Sequence, residues 1–312
     1  MSADDKETGS VSRREFLKAG AAAGAFAVLA GAFPEVVWAE EPGRPDLSGL
    51  GDLINPYDVT VALDGTVYVA NAGRYGVVQL AAGEGRYLGA GPGTAESRFN
   101  FPMGVDAAAD GGVFVADTNN GRIQVFDAAG AHVRSFGRLG YLDGEFLRPK
   151  SVCRYEAGVL VADTRNHRVQ YIDLQSKRLA SGEPVARAML GGLGDGPTDL
   201  KLPRYVAADD EKRIYVADSG HAVVKIFDLD GDVTATLGRG ELAEPAGVAV
   251  GDGMTFVADA GGARVLAFDE TGRKLGALKG LNGLKEPRGV ALADGYLLVA
   301  DPKAARVFVT EV

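Results

Sequence analysis

Six near copies of Val-Ala-Asp recur along the chain, and this repetition limits the possible folds more than any single residue does. They are Val69-Ala70-Asn71, Val115-Ala116-Asp117, Val161-Ala162-Asp163, Val216-Ala217-Asp218, Val257-Ala258-Asp259 and Val299-Ala300-Asp301. Their last positions lie 46, 46, 55, 41 and 42 residues apart. That is the period of a four-stranded propeller blade, not of a helical solenoid or a leucine-rich array. The expected architecture is all-β: a six-bladed β-propeller with four-stranded blades and almost no helix.

Each repeat follows one pattern. A proline opens a strand, as in Pro102-Met103-Gly104-Val105, and a turn rich in Asp and Gly leads to the strand that ends in Val-Ala-Asp. A third strand begins five residues past that Asp, and a fourth ends near a glycine such as Gly137. Short β-branched runs bounded by Pro, Gly, Asp and Asn are what strand and turn chemistry favours. The long interval is assigned to an insertion from about Gln175 to Val185, in the hairpin between the third and fourth strands of blade 3. The last repeat stops after its third strand. Leu47–Pro56 aligns with Leu278–Pro287 in its Leu, Gly and Pro positions, so the N-terminal segment is expected to supply the missing strand and leave no long open sheet edge.

Residues 1–39 read as a twin-arginine export signal. Ser12-Arg13-Arg14-Glu15-Phe16-Leu17-Lys18 precedes an apolar run from Ala19 to Phe33 and a small-residue cleavage site at Val37-Trp38-Ala39. The run is short for a bilayer span, so cleavage, with no stable membrane insertion afterwards, is expected. Residues 40–312 then form the propeller, in the periplasm or another extracytoplasmic space. The whole chain carries a net charge of −9, which argues against nucleic acid as a partner because phosphate binding needs a basic footprint. The single cysteine, Cys153, has no internal disulfide partner and is expected to be a buried structural thiol.

Phe101-Pro102-Met103-Gly104-Val105, Asp117-Thr118-Asn119-Asn120-Gly121-Arg122-Ile123-Gln124-Val125-Phe126-Asp127 and Asp163-Thr164-Arg165-Asn166-His167-Arg168-Val169-Gln170 strongly resemble NHL-repeat β-propellers. The resemblance spans essentially all of the chain after the signal and implies the fold. It does not transfer a reaction, because NHL-like propellers include protein-binding and RNA-binding modules, a zinc-dependent peptide-amidating lyase and, more distantly, calcium-dependent lactonases.

No catalytic residue, metal ligand or cofactor is assigned from the sequence. Asp117 with Arg122, Asp163 with Arg168, Asp259 with Arg264 and Asp301 with Arg306 recur at one spacing, which fits a charge-assisted hydrogen bond that locks a loop in each blade. Blade 4 pairs Asp218 with Val223, so its acid needs another partner. The lyase's zinc-binding histidines would be expected just after the blade-opening prolines, where this chain has Tyr57, Met103, Lys150, Arg204, Ala246 and Arg288. Asp58 and Asp106 begin a possible calcium set that does not continue around the ring. The residues after the prolines should surround the central channel, three of them cations and none an acid. Lys150, Arg204 and Arg288, extended over blades 3 and 4 by Arg165, His167 and His221, form the candidate site for a protein partner in the cell envelope or an anionic small ligand. The leading function is therefore a noncatalytic binding or scaffold propeller recognising a protein partner, with an envelope redox complex as its candidate setting. The alternative is a metal-dependent small-molecule hydrolase or lyase of the lactonase or amidating-lyase type.

Overall fold

The computed structural model describes residues 44–176, 186–228 and 230–312. The signal segment expected over residues 1–39 lies outside the described residues, as does most of the insertion between Arg168–Asp173 and Ala186–Gly191. The described chain is an all-β, six-bladed propeller of antiparallel four-stranded meanders, the sixth showing three strands among the described residues. The inner strands are Pro56–Val61, Pro102–Ala107, Pro149–Tyr155, Pro203–Ala208, Pro245–Gly251 and Val290–Ala293. Each lies beside the next around the ring, and the last returns to the first. No helix among the described residues is long and apolar enough to cross a membrane.

The strand that ends in each Val-Ala-Asp copy is buried along nearly its whole length, because strands flank it within the blade and neighbouring blades cover both its faces. This explains why these strands read as continuous apolar runs. Six hydrophobic clusters separate the blades. One holds Tyr68, Phe99, Val105 and Phe126 between blades 1 and 2, and another holds Ile123, Phe146 and Val161 between blades 2 and 3. Each such side chain contributes about 1.5–3 kcal/mol on burial.

The recurring Asp is structural, and its main partner is the chain arriving from the preceding blade. Asp117 Oδ1 accepts the Asn100 N–H at 2.7 Å, Asp163 Oδ1 that of Leu147, Asp218 Oδ1 that of Lys201 and Asp259 Oδ1 that of Glu244. Asn71 and Asp301 do the same for Ile54 and Glu286. The second oxygen takes the expected arginine in three blades: Arg122 at 2.8 Å, Arg168 at 2.9 Å and Arg264 at 3.1 Å. The fourth expected pair is corrected. Both oxygens of Asp301 are taken up by backbone N–H groups of Lys285, Glu286, Lys303 and Ala304, and Arg306 lies over the Phe308 ring. In blade 4, His221 and Lys225 are the partners of Asp218.

The expected closing strand is also corrected. Leu47–Asn55 contains a single 3₁₀ turn at Ser48–Leu50 and no strand, and Pro56 already opens the inner strand of blade 1. The segment it matches, Leu278–Pro287, is itself the connector that follows strand Lys274–Ala277, so the equivalence holds between two connectors. Leu50 nevertheless sits in the cluster shared by blades 1 and 6, with Leu47 and Leu53 packed against it. Gly49 is forced by close approach, since a Cβ there would lie 2.2 Å from the Gly83 carbonyl oxygen. Closure here is by side-chain packing. Deleting Arg44–Gly49 should lower the melting temperature by about 4 °C, from about 2 kcal/mol of lost apolar burial. A circular-dichroism melt coinciding with that of the parent protein would count against this account.

Candidate functional site

The site is produced by a backbone irregularity at the start of the inner strands. Pairing shifts by one residue between Pro56 and Asp58, Pro102 and Gly104, Pro203 and Tyr205, and Pro245 and Gly247, and at the same place in blade 3 between Pro149 and Ser151. A bulge re-aims the side chain it leaves unpaired. Here the bulged residues are Tyr57, Met103, Lys150, Arg204 and Ala246, and together with Arg288 they line a cavity at the axis of about 20 Å³, room for one water-sized group.

Lys150, Arg204 and Arg288 are thus brought together, but not as a free ring of charge. Arg204 Nη1 lies 2.6 Å from Glu244 Oε1, which Arg288 Nη1 also reaches at 3.0 Å. Arg288 in turn pairs with Glu286 and stacks 5.9 Å from the centre of the Tyr57 ring. Glu244 and Glu286 come from the positions just before the blade-opening prolines of blades 5 and 6, two residues upstream of Ala246 and Arg288. Lys150 has no ion-pair partner among the described residues. Burial pushes its amine down to about 7, and Arg204, Arg288 and Arg148 act in the same direction.

The other candidates sit in the loops above blades 3 and 4. Arg165 is exposed, and its backbone N–H donates to the Leu147 carbonyl. His167 holds a left-handed backbone turn (φ 57°), and its Nδ1 accepts the Leu202 N–H at 3.1 Å. His221 is held between Asp218 at 2.6 Å and Asp195 at 3.1 Å. Against the lowering effect of burial, those two hydrogen bonds keep its pKa above the ordinary histidine value. His132 lies away from them, bonded to Ser135 and packed edge-on to Phe126.

Below the cavity the channel is crossed by a bond that has no counterpart in the repeat. The residues two past each proline are Asp58, Gly104, Ser151, Tyr205, Gly247 and Gly289. Gly289 has no room for a side chain, since its Cβ would stand 2.0 Å from Asp58 Oδ1. Beside it, Tyr205 of blade 4 reaches over the axis to donate its hydroxyl to Asp58 Oδ1 of blade 1 at 3.0 Å. The same carboxyl accepts the Val59 and Val105 N–H groups, and burial drives its pKa well above the usual carboxylate range. Deeper still, Asp106 accepts the Thr60 hydroxyl and the Arg154 N–H, and burial raises its pKa to about 6. Cys153 is not fully buried as expected but half-buried, packed against the core between blades 3 and 4.

Fold and mouth together define a propeller with a stoppered axial channel and a shallow, mixed-charge opening on the connector face. The chain is a six-bladed β-propeller carrying the NHL repeat, matched at residues 99–126, and a twin-arginine translocation signal sequence, matched at residues 10–30. It is 31% identical over 146 residues to the protein brain tumor of Drosophila melanogaster, a stretch that is 47% of this chain and 13% of that protein. Among solved structures, a catalytically inactive virginiamycin B lyase from Staphylococcus aureus with quinupristin superposes with a TM-score of 0.59 at 13% identity, covering 85% of this chain and 86% of the lyase. A chain of a nidogen/laminin complex does so with a TM-score of 0.57 at 17% identity, covering 76% and 86%. At these identities the likeness is one of fold.

Proposed function

We propose that this is an exported, noncatalytic binding or scaffold propeller in the periplasm, which holds an acidic segment of an envelope protein on its connector face over blades 3 and 4. One observation carries this reading: large apolar side chains stand exposed there beside cations that lack counter-charges. Tyr141, Leu142 and Leu193 are 74%, 67% and 70% exposed, and Leu139 and Leu202 flank them. The connector bearing Leu139–Leu142 lies against the loop bearing Arg165 and His167, since Asn166 donates to the Gly140 carbonyl and Arg168 to that of Leu142. Arg148, Lys150 and Arg165 supply positive charge without an ion-pair partner among the described residues. Apolar anchors rimmed by charge are the usual anatomy of a protein-binding patch. Residues 1–39 remain the proposed cleaved signal, and residues 40–312 the working propeller.

The hydrolase or lyase reading has the shared fold in its favour and, in the mouth, an unpaired amine. The two carboxylates at that mouth, however, are engaged by Arg204 and Arg288. The test is recovery of partners from envelope extract with the wild type and with a Tyr141→Ser, Leu142→Ser, Arg165→Glu variant. The variant should retain a partner at least tenfold more weakly, about 1.4 kcal/mol, and capture by the wild type should weaken with added salt. Equal recovery of the same partners by both proteins would remove this face from the account.

A further inference from the structure

We infer that the axial cavity is a receptor for one carboxylate group, bound by Lys150 and Arg204. The inference rests on the binding reading above only in taking the connector face as a recognition surface. Three facts converge on it.

The first is charge. Three basic residues, Lys150, Arg204 and Arg288, face two carboxylates, Glu244 and Glu286, so with Lys150 protonated the mouth carries one positive charge that no described side chain balances. The acid beneath, Asp58, is pushed by burial toward its neutral form and already accepts three hydrogen bonds. A single monoanion restores neutrality.

The second is unmet hydrogen bonding. Arg204 Nε is buried without an acceptor, although Arg204 Nη1 is paired with Glu244. The Lys150 ammonium, lining the same cavity, has no acceptor among the described residues either. A buried donor left unmade costs about 1–3 kcal/mol, more when charged. One buried donor without an acceptor, beside a part-buried amine that also has none among the described residues, marks a place for an oxygen.

The third is size. About 20 Å³ admits one oxygen-sized group. A carboxylate can insert one oxygen and leave its carbon and second oxygen in the opening beside Tyr57, whereas a tetrahedral phosphate or sulfate presents three further substituents to the rim. The carboxylate can be a free small acid or the tip of an Asp or Glu on the bound partner.

An anion seated on Lys150 must also stabilise its protonated form, so binding and proton uptake are linked. The groups that face this amine are Arg148, Arg204, Arg288 and Glu244. Carboxylate affinity should therefore fall as pH rises above about 7, with Lys150 as the titrating group.

The experiment follows the Lys150 side chain by NMR in the full chain with 13C-labelled lysine, titrated in pH without and with sodium acetate, with acetyl-Ala-Glu-Ala-amide, with its Gln counterpart and with inorganic phosphate. Acetate and the Glu peptide should each raise the Lys150 pKa by one unit or more, a tenfold coupling, while the Gln peptide and phosphate should not. A larger shift from the Glu peptide than from acetate assigns the site to a partner side chain, and the reverse assigns it to a free acid. Arg204→Lys, which keeps the charge but loses the Nε donor, should cut acetate affinity at least fivefold while its melting curve shows it folded. No acetate-dependent shift, equal shifts with phosphate, or unchanged affinity in Arg204→Lys would overturn the inference. The Tyr141, Leu142 and Arg165 variant separates the two readings: loss of partner capture with an intact acetate response leaves this site standing, and the converse leaves only the partner surface.

Discussion

Asp58→Ala should lower the melting temperature by about 6 °C or more, the largest effect expected of any single side-chain truncation in the channel. Asp58 is almost fully buried (1% exposed), and its carboxyl joins three blades. Oδ1 accepts the Val59 N–H at 2.9 Å and the Tyr205 hydroxyl at 3.0 Å, and Oδ2 accepts the Val105 N–H at 3.0 Å. Truncation leaves those donors inside the ring without acceptors, at about 1–3 kcal/mol each, partly offset because a buried acid is removed. A net loss of about 3 kcal/mol corresponds to the stated shift at about 2 °C per kcal/mol for a chain of this size. Tyr205→Phe removes only the cross-axis bond and should cost about 1 kcal/mol. Thermal unfolding of the two variants decides the matter: an Asp58→Ala melt within a degree or so of the parent would falsify the tie between opposite blades.

The second large effect is a rise in stability on mild acidification. Asp106 titrates at about 6 in the folded protein against an ordinary value of 3.8. A carboxyl whose folded pKa is raised binds its proton more tightly in the native state. Its contribution is therefore fully present below pH 3.8 and is lost as pH rises through about 6. Between about pH 7.5 and about pH 4.5 the native state should gain about 2 kcal/mol from this group. His221, with its raised pKa, acts in the same direction. Lys150 acts only above about 7, where losing its proton relieves the folded state. Asp58, whose pKa burial drives well above the usual carboxylate range, acts in the same direction as Asp106, so Asp106→Asn should remove about 2 kcal/mol of the pH dependence and leave the remainder. If the wild type is no more stable at about pH 4.5 than at about pH 7.5, the assignment to Asp106 fails.

The repeating features were legible in the sequence and the non-repeating ones were not. Strand limits, the buried Asp (Asn71 in blade 1) and the inward position after each proline follow from local turn chemistry applied six times, so one correct repeat corrects the others. Lys150, Arg204 and Arg288 do line the axial cavity, but the acids that neutralise two of them, Glu244 and Glu286, stand one residue before the proline in only two blades. Reading both flanks of each proline would have found them. The Asp58–Tyr205 bond joins residues 147 positions apart and depends on the space left by Gly289 of blade 6, which no local pattern encodes. Arg306 left its expected partner because the backbone had already filled both oxygens of Asp301. The N-terminal connector was taken for a strand because alignment between repeats shows equivalence, not conformation.

The Asp that ends each second strand also puts the repeat out of step with the blade. Its side chain holds, through Asn100, Leu147, Lys201 or Glu244, a stretch of chain that has just left the preceding blade. A segment cut from one proline to the next thus carries a carboxylate made for a neighbour's tail and lacks the acid for its own. The stable unit of exchange between such proteins is then not a blade but a span beginning in one hairpin on the face opposite the mouth and ending in the corresponding hairpin of the next blade. Shuffling blades at their prolines separates each acid from the backbone it was built to hold.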